Sequence, residues 1–178
     1  MRTRASAVAF VAAAALLAAG CGKNDQPSAS EWADSMCSAV TTWQSSITSI
    51  VTSLQSGGLT KDSLTSAFDD AKSATNDLTS TLDDLGKPDM ESGQEAQAAV
   101  DQLSSEIKTD IKTIQDAVDN ASGVSGILNA AQVTKETITQ AGTQVSSTVT
   151  TLQGIGAQKE LKSAFADSSS CQKLTGGS

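Results

Sequence analysis

The side chains of this chain that could do chemistry are cysteines and carboxylates. Its 178 residues include three Cys and 20 Asp or Glu, but no His and no Tyr. Without histidine, the chain lacks a Ser-His-Asp or Cys-His arrangement, a Glu-x-x-His di-iron motif and the usual zinc ligands. It also lacks a Gly-rich loop between a strand and a helix that would hold a nucleotide. We therefore expect a protein that is not an enzyme and that binds no cofactor and no metal.

The carboxylates form only weak candidate sites. The pair Asp83-Asp84 lies in a predicted helix, where neighbouring side chains point about 100° apart and do not converge on one atom. Acidic residues gather in the turn at 83–91, but the EF-hand pattern is absent and a solvated acidic turn is the simpler interpretation. Asp110 lies near an apolar seam. It is either a buried functional carboxylate or, as we expect, a side chain at a helix edge that reaches water.

The first 21 residues have the layout of an export signal. Arg2 and Arg4 precede an uncharged, Ala-rich run at 5–19 that is too short for a convincing transmembrane helix. The small residues at 18–20 then end directly on Cys21. This order of charge, apolar run and small residues predicts that the segment is removed during export.

These residues resemble the signals of bacterial lipoprotein precursors, in which a small-residue lipobox precedes a lipidated cysteine. The resemblance implies a cleaved signal peptide at 1–20, a diacylglyceryl group on the thiol of Cys21, and a lipidated N-terminus and tether at 21–29. Ala18 departs from the family, because leucine is commonest three residues before the cysteine. The alternative is an ordinary secretion signal in which Cys21 is incidental. The resemblance covers residues 1–21 only and implies a protein anchored at the outer face of the cell membrane.

The charge of the chain after the signal limits its partners. Both arginines lie in the signal, so ten lysines face 20 acidic side chains in the rest of the chain. Such an acidic surface repels phosphate backbones, which argues against nucleic acid, and it offers no polybasic patch for a membrane. The partners that we expect are the membrane, through the lipid on Cys21, and a protein of the cell envelope. The sequence does not determine the oligomeric state.

Apolar periodicity predicts four long helices. In helix one, which begins between Ser28 and Ser30, and in helix two, at 60–85, apolar or small residues recur at alternating spacings of three and four. Ser28 with Glu31 fits a capping box. Helix three is predicted from Asp89 or Ser92 to 120, and helix four at 127–153.

Short connections between these helices predict an all-α, up-down-up-down four-helix bundle. The bundle domain spans 30–174. A short C-terminal helix around 161–165 is expected to end in the polar run 167–170, and a flexible tail follows at 175–178. The tether from Gly22 to Ala29 extends at most roughly 28 Å, so the bundle is expected to lie close to the membrane.

Cys37 and Cys171 are the two cysteines that remain. In an exported protein such a pair is expected to be oxidised. In a bundle of four antiparallel helices, the end of helix four lies beside the start of helix one, so an even helix count brings the two cysteines together. We predict a disulfide between them. The alternatives are two free buried thiols or a redox pair, and no CxxC motif supports the redox pair.

Two function classes remain. The one favoured by the sequence is a non-catalytic, membrane-anchored envelope lipoprotein that acts as an interaction or spacer module. The alternative is a small-molecule or lipid-binding lipoprotein with its ligand held between the bundle helices. The candidate lining residues for such a ligand are Trp43, Ile107, Ile111 and Val145. For Trp43 itself, core packing is the expected role.

Overall fold

A computed structural model describes residues 26–155 and 160–176. The predicted signal peptide, Cys21 and most of the tether lie outside the described residues. Within those ranges the chain forms six α-helices and no strand, and four of the helices are long. The helices are α1 (Ala29–Gly57), α2 (Lys61–Asp84), α3 (Gly93–Asp119), α4 (Gly123–Gly154), α5 (Glu160–Asp167) and α6 (Ser169–Gly176). The prediction of an all-α helical bundle is therefore confirmed. None of the described helices is long and apolar enough to cross a membrane.

Side chains cap the first two helices. The Ser28 hydroxyl accepts a hydrogen bond from the backbone N–H of Glu31 (3.3 Å), and the Glu31 carboxylate accepts one from the backbone N–H of Ser28 (3.0 Å). Thr60 and Ser63 form the same reciprocal pair at the start of α2. These bonds satisfy N–H groups that have no partner inside the helix. The predicted capping box at Ser28 is confirmed.

The long helices pack in sequence order. α1 lies against α2, α2 against α3, and α3 against α4, while α5 and α6 both lie against α1. Short connections at 58–60, 85–92 and 120–122 make consecutive helices antiparallel. One apolar core fills most of the bundle, and a smaller second core lies near the start of α2 and the end of α3. The second core consists of Leu64, Phe68, Ile114, Val118, Ala121 and Ala130.

The start of α1 is held against the turn between α2 and α3. The backbone N–H of Asp89 donates to the Pro27 carbonyl (2.8 Å), and the fully buried Trp32 donates from its indole Nε1 to the Gly86 carbonyl (2.9 Å). Gly86 has φ +57°, a left-handed conformation that favours glycine. The N-terminus of the bundle and this turn therefore form one end of the molecule. The opposite end, at 58–60 and 120–128, is called the far end below.

Gly93 allows α3 to begin close to that turn. A Cβ atom at this position would overlap the carbonyl oxygen of Pro88. Both residues are buried, so neither can move aside into solvent. A side chain at position 93 would therefore displace the turn that contacts Trp32.

Two of the predicted boundaries were wrong. α4 begins at Gly123 instead of 127, because Gly123 itself makes the turn with φ +63° and Gly126 continues the helix. The C-terminal segment contains two short helices instead of one. Ser168 starts the second, since its hydroxyl accepts from the Cys171 backbone N–H (3.2 Å) and its carbonyl accepts from Gln172 (3.1 Å). α6 continues to Gly176, inside the segment predicted as a tail.

The disulfide between Cys37 and Cys171 is present, as predicted. The two Cα atoms are 4.9 Å apart, although the residues are separated by 134 positions. It joins α6 to the third turn of α1. Beside it, the Ser168 hydroxyl donates to the Asp34 carboxylate (2.8 Å), and hydrogen bonds from Ser168 and Ser170 lower the pKa of that carboxyl. These contacts fix the C-terminal helices on α1.

Candidate ligand-binding groove

The four residues predicted to line a ligand belong mainly to the core. Trp43, Ile107 and Val145 are buried in the main core, and Ile111 is partly buried where the two cores meet. The Trp43 indole N–H donates to the Thr75 hydroxyl (3.1 Å), so its one polar group is satisfied internally. The edge of Trp43 also reaches a shallow groove between α1 and α2. The apolar groove described next is lined by other residues.

An open seam separates α1 from α4 toward the far end of the bundle. These two helices approach each other less closely than the consecutive pairs do. Next to the N-terminal half of α1, α5 supplies Leu161 and Phe165, which are buried in the main core. Beside the C-terminal half of α1, no described helix occupies the position that corresponds to that of α5. The seam therefore remains open where the second core lies beneath it.

This seam forms an apolar groove of about 430 Å³. That volume lies within the range of about 300–1,000 Å³ that is usual for small-molecule sites. α1 and the residues after it form one wall, and α4 forms the other. The lining residues are Val51, Leu54, Gln55, Gly58, Leu59, Ala131, Thr134, Lys135, Ile138 and Thr139.

The polar side chains of the α4 wall add little polarity to the groove. The hydroxyl of Thr134 donates to the Ala130 carbonyl (2.8 Å), and the hydroxyl of Thr139 donates to the Lys135 carbonyl (2.9 Å). Because each hydroxyl is bonded within its own helix, each threonine offers the groove mainly its methyl group. Thr134 therefore extends the apolar surface instead of interrupting it.

A small void continues the groove into the second core. It has about 20 Å³ and shares Val51, Leu54, Thr134 and Ile138 with the groove. A space of this size could admit one water molecule, but a water needs two to four polar partners, and this lining is almost entirely apolar. The base of the groove is therefore less tightly packed than the main core.

Lys135 is the single charged residue among the ten that line the groove. It lies on the same face of α4 as Ala131 and Ile138, since residues three or four apart are neighbours on a helix. Its side chain is exposed, and in the described part of the chain it forms no ion pair. The groove thus combines an apolar surface with one positive charge.

Exposed apolar residues lie at the same end of the molecule. Leu59, at the end of the groove, is 44% exposed, and Val124 and Leu128, in the first turns of α4, are 76% and 55% exposed. Val51 lies about 33 Å along α1 from Ala29, at 1.5 Å per residue. The groove and these residues therefore lie far from the end at which the chain enters the bundle.

Asp110 is buried, which contradicts the expectation that it reaches water. It is 7% exposed, and its Oδ1 accepts a hydrogen bond from the Gln140 amide (3.3 Å). Its Oδ2 and the Oε1 of Gln144 are buried without a hydrogen-bond partner. Burial raises the pKa of Asp110, the side-chain amide of Gln144 opposes that rise, and the charge of Glu106 adds to it. The sequence missed this cluster because α4 places two glutamines over the edge of α3.

A larger polar trough of about 750 Å³ lies between α1 and α2. Many of its lining residues are Ser and Thr, and several of the hydroxyls on the α1 side donate within their own helix. Thr41 donates to the Cys37 carbonyl (2.8 Å), and Ser45 donates to the Thr41 carbonyl (2.9 Å). The trough is wide and lined mostly by polar residues, so it makes a weaker candidate site than the groove.

The acidic turn has local partners. The Asp83 carboxylate accepts from the Ser104 hydroxyl (3.2 Å) and forms an ion pair with Lys108 (3.3 Å). Over residues 26–155 and 160–176, no three acidic or cysteine side chains are grouped so that they could hold a metal ion.

No family model matches the chain, and no curated protein and no solved structure matches it either. The geometry of the groove is thus the basis for the functional argument.

Proposed function

We propose that this protein is a membrane-anchored, non-catalytic lipoprotein of the cell envelope whose bundle binds an apolar small molecule in the α1–α4 groove. The observation that carries the proposal is the open apolar seam, which has the volume of a small-molecule site. A module that acted only as a spacer would gain nothing from leaving Leu54 and Ile138 partly exposed. Because of the groove, we favour ligand binding over the spacer role, which is the role that the sequence alone favours.

Burial of hydrocarbon supplies the affinity. Each methylene that leaves water contributes about 0.8 kcal/mol, and the groove offers a wall of aliphatic side chains on both sides. Eight methylenes would contribute roughly 6 kcal/mol before the cost of immobilising the ligand. A largely pre-formed site between two long helices keeps that cost low, because the helices are held together by the rest of the bundle.

The first described residues, which follow the proposed tether, lie at the end of the bundle opposite the groove. The tether joins Cys21 to the end of the bundle formed by the start of α1 and the α2–α3 turn. With the lipid in the membrane, an upright bundle would carry the groove about 33 Å farther out along α1. The proposed role is thus to present a bound apolar molecule away from the anchoring membrane.

A groove-blocking variant tests ligand binding. The Ala131→Trp substitution places a large ring in the groove, and Ser147→Trp adds the same side chain at an exposed position of the same helix. We expect the unaltered chain and the Ser147 variant to bind a polarity-sensitive fluorescent dye and release it to a long-chain alcohol. We expect the Ala131 variant to bind at least tenfold more weakly. Equal binding by all three proteins would refute the groove as the site.

A second experiment tests the anchor separately. When the full-length chain is expressed in a bacterial host, it should fractionate with membranes and gain the mass of a lipid. The Cys21→Ser variant should lose both properties while keeping its fold. An unmodified thiol on Cys21 in the exported chain would instead indicate an ordinary secretion signal.

One observation favours the interaction role as a second candidate. Leu59, Val124 and Leu128 expose apolar surface at the far end, where a partner in the envelope would meet an upright bundle. Site-specific cross-linking from position 128 in intact cells tests it, with position 147 as the control. A single adduct that forms from 128 only, and that Val124→Ser weakens, would support a docking role for this end.

A further inference from the structure

The one charge in the groove limits what the groove binds. Lys135 lies between Ala131 and Ile138 on the α4 wall, so its aliphatic stem covers apolar surface while its ammonium group stays at the edge in water. An uncharged hydrocarbon would gain nothing from this ammonium group. An apolar molecule with a negative head at one end could use both parts of the site.

Three other lysines have partners within the bundle. Lys108 pairs with Asp83 (3.3 Å), Lys112 pairs with Asp116 (3.7 Å), and Lys61 donates to the Ala121 carbonyl (3.0 Å). No acidic residue lines the groove near Lys135. In a chain with a formal net charge of −8, Lys135 places one positive charge beside an apolar surface that no carboxylate lines. It provides charge complementarity for an anion.

The neighbouring acid on α4 is already bonded. The carboxylate of Glu136 accepts a hydrogen bond from the Gln132 amide (3.0 Å), and neither residue lines the groove. Glu136 is adjacent to Lys135 on the helix, so the two side chains point about 100° apart, and among the described residues no ion pair joins them. The positive charge therefore remains available at the edge.

The size and charge of the site favour a single chain with one negative charge. The two walls each extend over about nine residues, or roughly 12 Å, which suits one aliphatic chain laid between the helices. One lysine balances a carboxylate, whereas a phosphate monoester would leave a second negative charge uncompensated on an acidic protein.

Resting on the proposed function, we propose that the ligand is a fatty carboxylate, with its head group paired to Lys135 and its chain lying between Val51 and Leu54 on one side and Ile138 on the other. The void beneath Thr134 accommodates part of the chain. The ion pair is partly exposed, so its contribution falls as salt screens it.

Three probes with the same chain and different heads test this assignment: dodecanoate, dodecanol and dodecylammonium. The full-length chain carrying Cys21→Ser is used, so that neither attached lipid nor detergent competes for the groove. Binding is measured by displacement of the fluorescent dye at low and high salt. We expect dodecanoate to bind about tenfold more tightly than dodecanol at low salt, and dodecylammonium to bind most weakly.

Two variants locate the charge effect. Lys135→Gln should remove the preference, so that dodecanoate binds no more tightly than dodecanol. Lys112→Gln removes the same charge from an exposed position on α3 and should leave the preference intact. Equal binding of acid and alcohol, or a preference that survives Lys135→Gln, would overturn the head-group assignment while the groove still binds dodecanol. Failure of all three probes to bind would overturn the proposed function as well.

Discussion

The disulfide between Cys37 and Cys171 should carry a large share of the stability of the fold. The perturbation is its removal in the double variant Cys37→Ala/Cys171→Ala. With the two cysteines separated by 134 positions, the loop-entropy model gives about 5 kcal/mol as an upper estimate. Domains of this kind have only about 5–15 kcal/mol of stability in total, so the variant is expected to lose 2–5 kcal/mol and to unfold at much lower urea.

The same change should loosen the C-terminal helices first. α5 and α6 have eight residues each, which is too short for a helix to be stable alone in water. Without the covalent link, their hold on α1 depends on buried contacts such as Phe165 and on the Ser168–Asp34 hydrogen bond (2.8 Å). Limited proteolysis should then cut after α4 before the rest of the bundle unfolds.

Urea unfolding followed by far-UV circular dichroism measures the effect on the oxidised protein, the reduced protein and the double variant. The reduced protein and the variant should have similar free energies of unfolding. Any difference between the two values reports the packing of the two buried sulfur atoms. A loss below 1 kcal/mol, with α6 still protected from protease, would refute the reasoning. It would mean that noncovalent contacts alone hold the C-terminus on α1.

Three further variants test the interior of the bundle. Asp110→Asn should stabilise the protein at pH 7 by about 1–3 kcal/mol, because burial penalises the charged form of the carboxyl and a neutral amide avoids that penalty. Folding raises the pKa of Asp110. The contribution of its protonated form to stability is therefore complete below the ordinary pKa of 3.8 and is lost as pH rises through the raised pKa. The gain from Asn should vanish in acid, and melting curves from pH 3 to 8 would show this. Gly93→Ala should destabilise the protein by more than about 1 kcal/mol, because the new Cβ meets the preceding turn. Gly142→Ala should stabilise it by up to about 1 kcal/mol, because position 142 lies inside α4 and faces open space. Trp43→Phe should cost about 1–3 kcal/mol in urea unfolding by leaving the buried Thr75 hydroxyl without its donor, and no loss would refute that bond.

Local patterns predicted the helices well and their ends less well. The alternating spacing of three and four in α1 and α2 is a property of one helix, so it can be read without knowing the neighbours. The start of α4 was misplaced because two glycines close together indicate a break without saying which of them makes the turn. α6 was missed because its sequence is polar. It is held by the disulfide, by Ser168 and by contact with α1, which are tertiary interactions.

The candidate site was the least predictable part. Leu54 and Ile138 both fall in the apolar stripes of their helices, and a stripe normally predicts core. Whether such a residue is covered depends on the distance to the helix opposite, and periodicity contains no information about that distance. Asp110 was assigned to solvent for the same reason, since Gln140 and Gln144 approach it from a different helix.

The sequence by itself determined the class of fold, the antiparallel order of the helices and the pairing of Cys37 with Cys171. These follow from periodicity, short connections and helix count, which are local or topological properties. Only the tertiary structure decided where the bundle is incomplete. α5 packs against one half of α1 and leaves the other half facing α4 across a groove. That outcome depends on how far two helices distant in sequence diverge, and it is set by packing across the whole bundle.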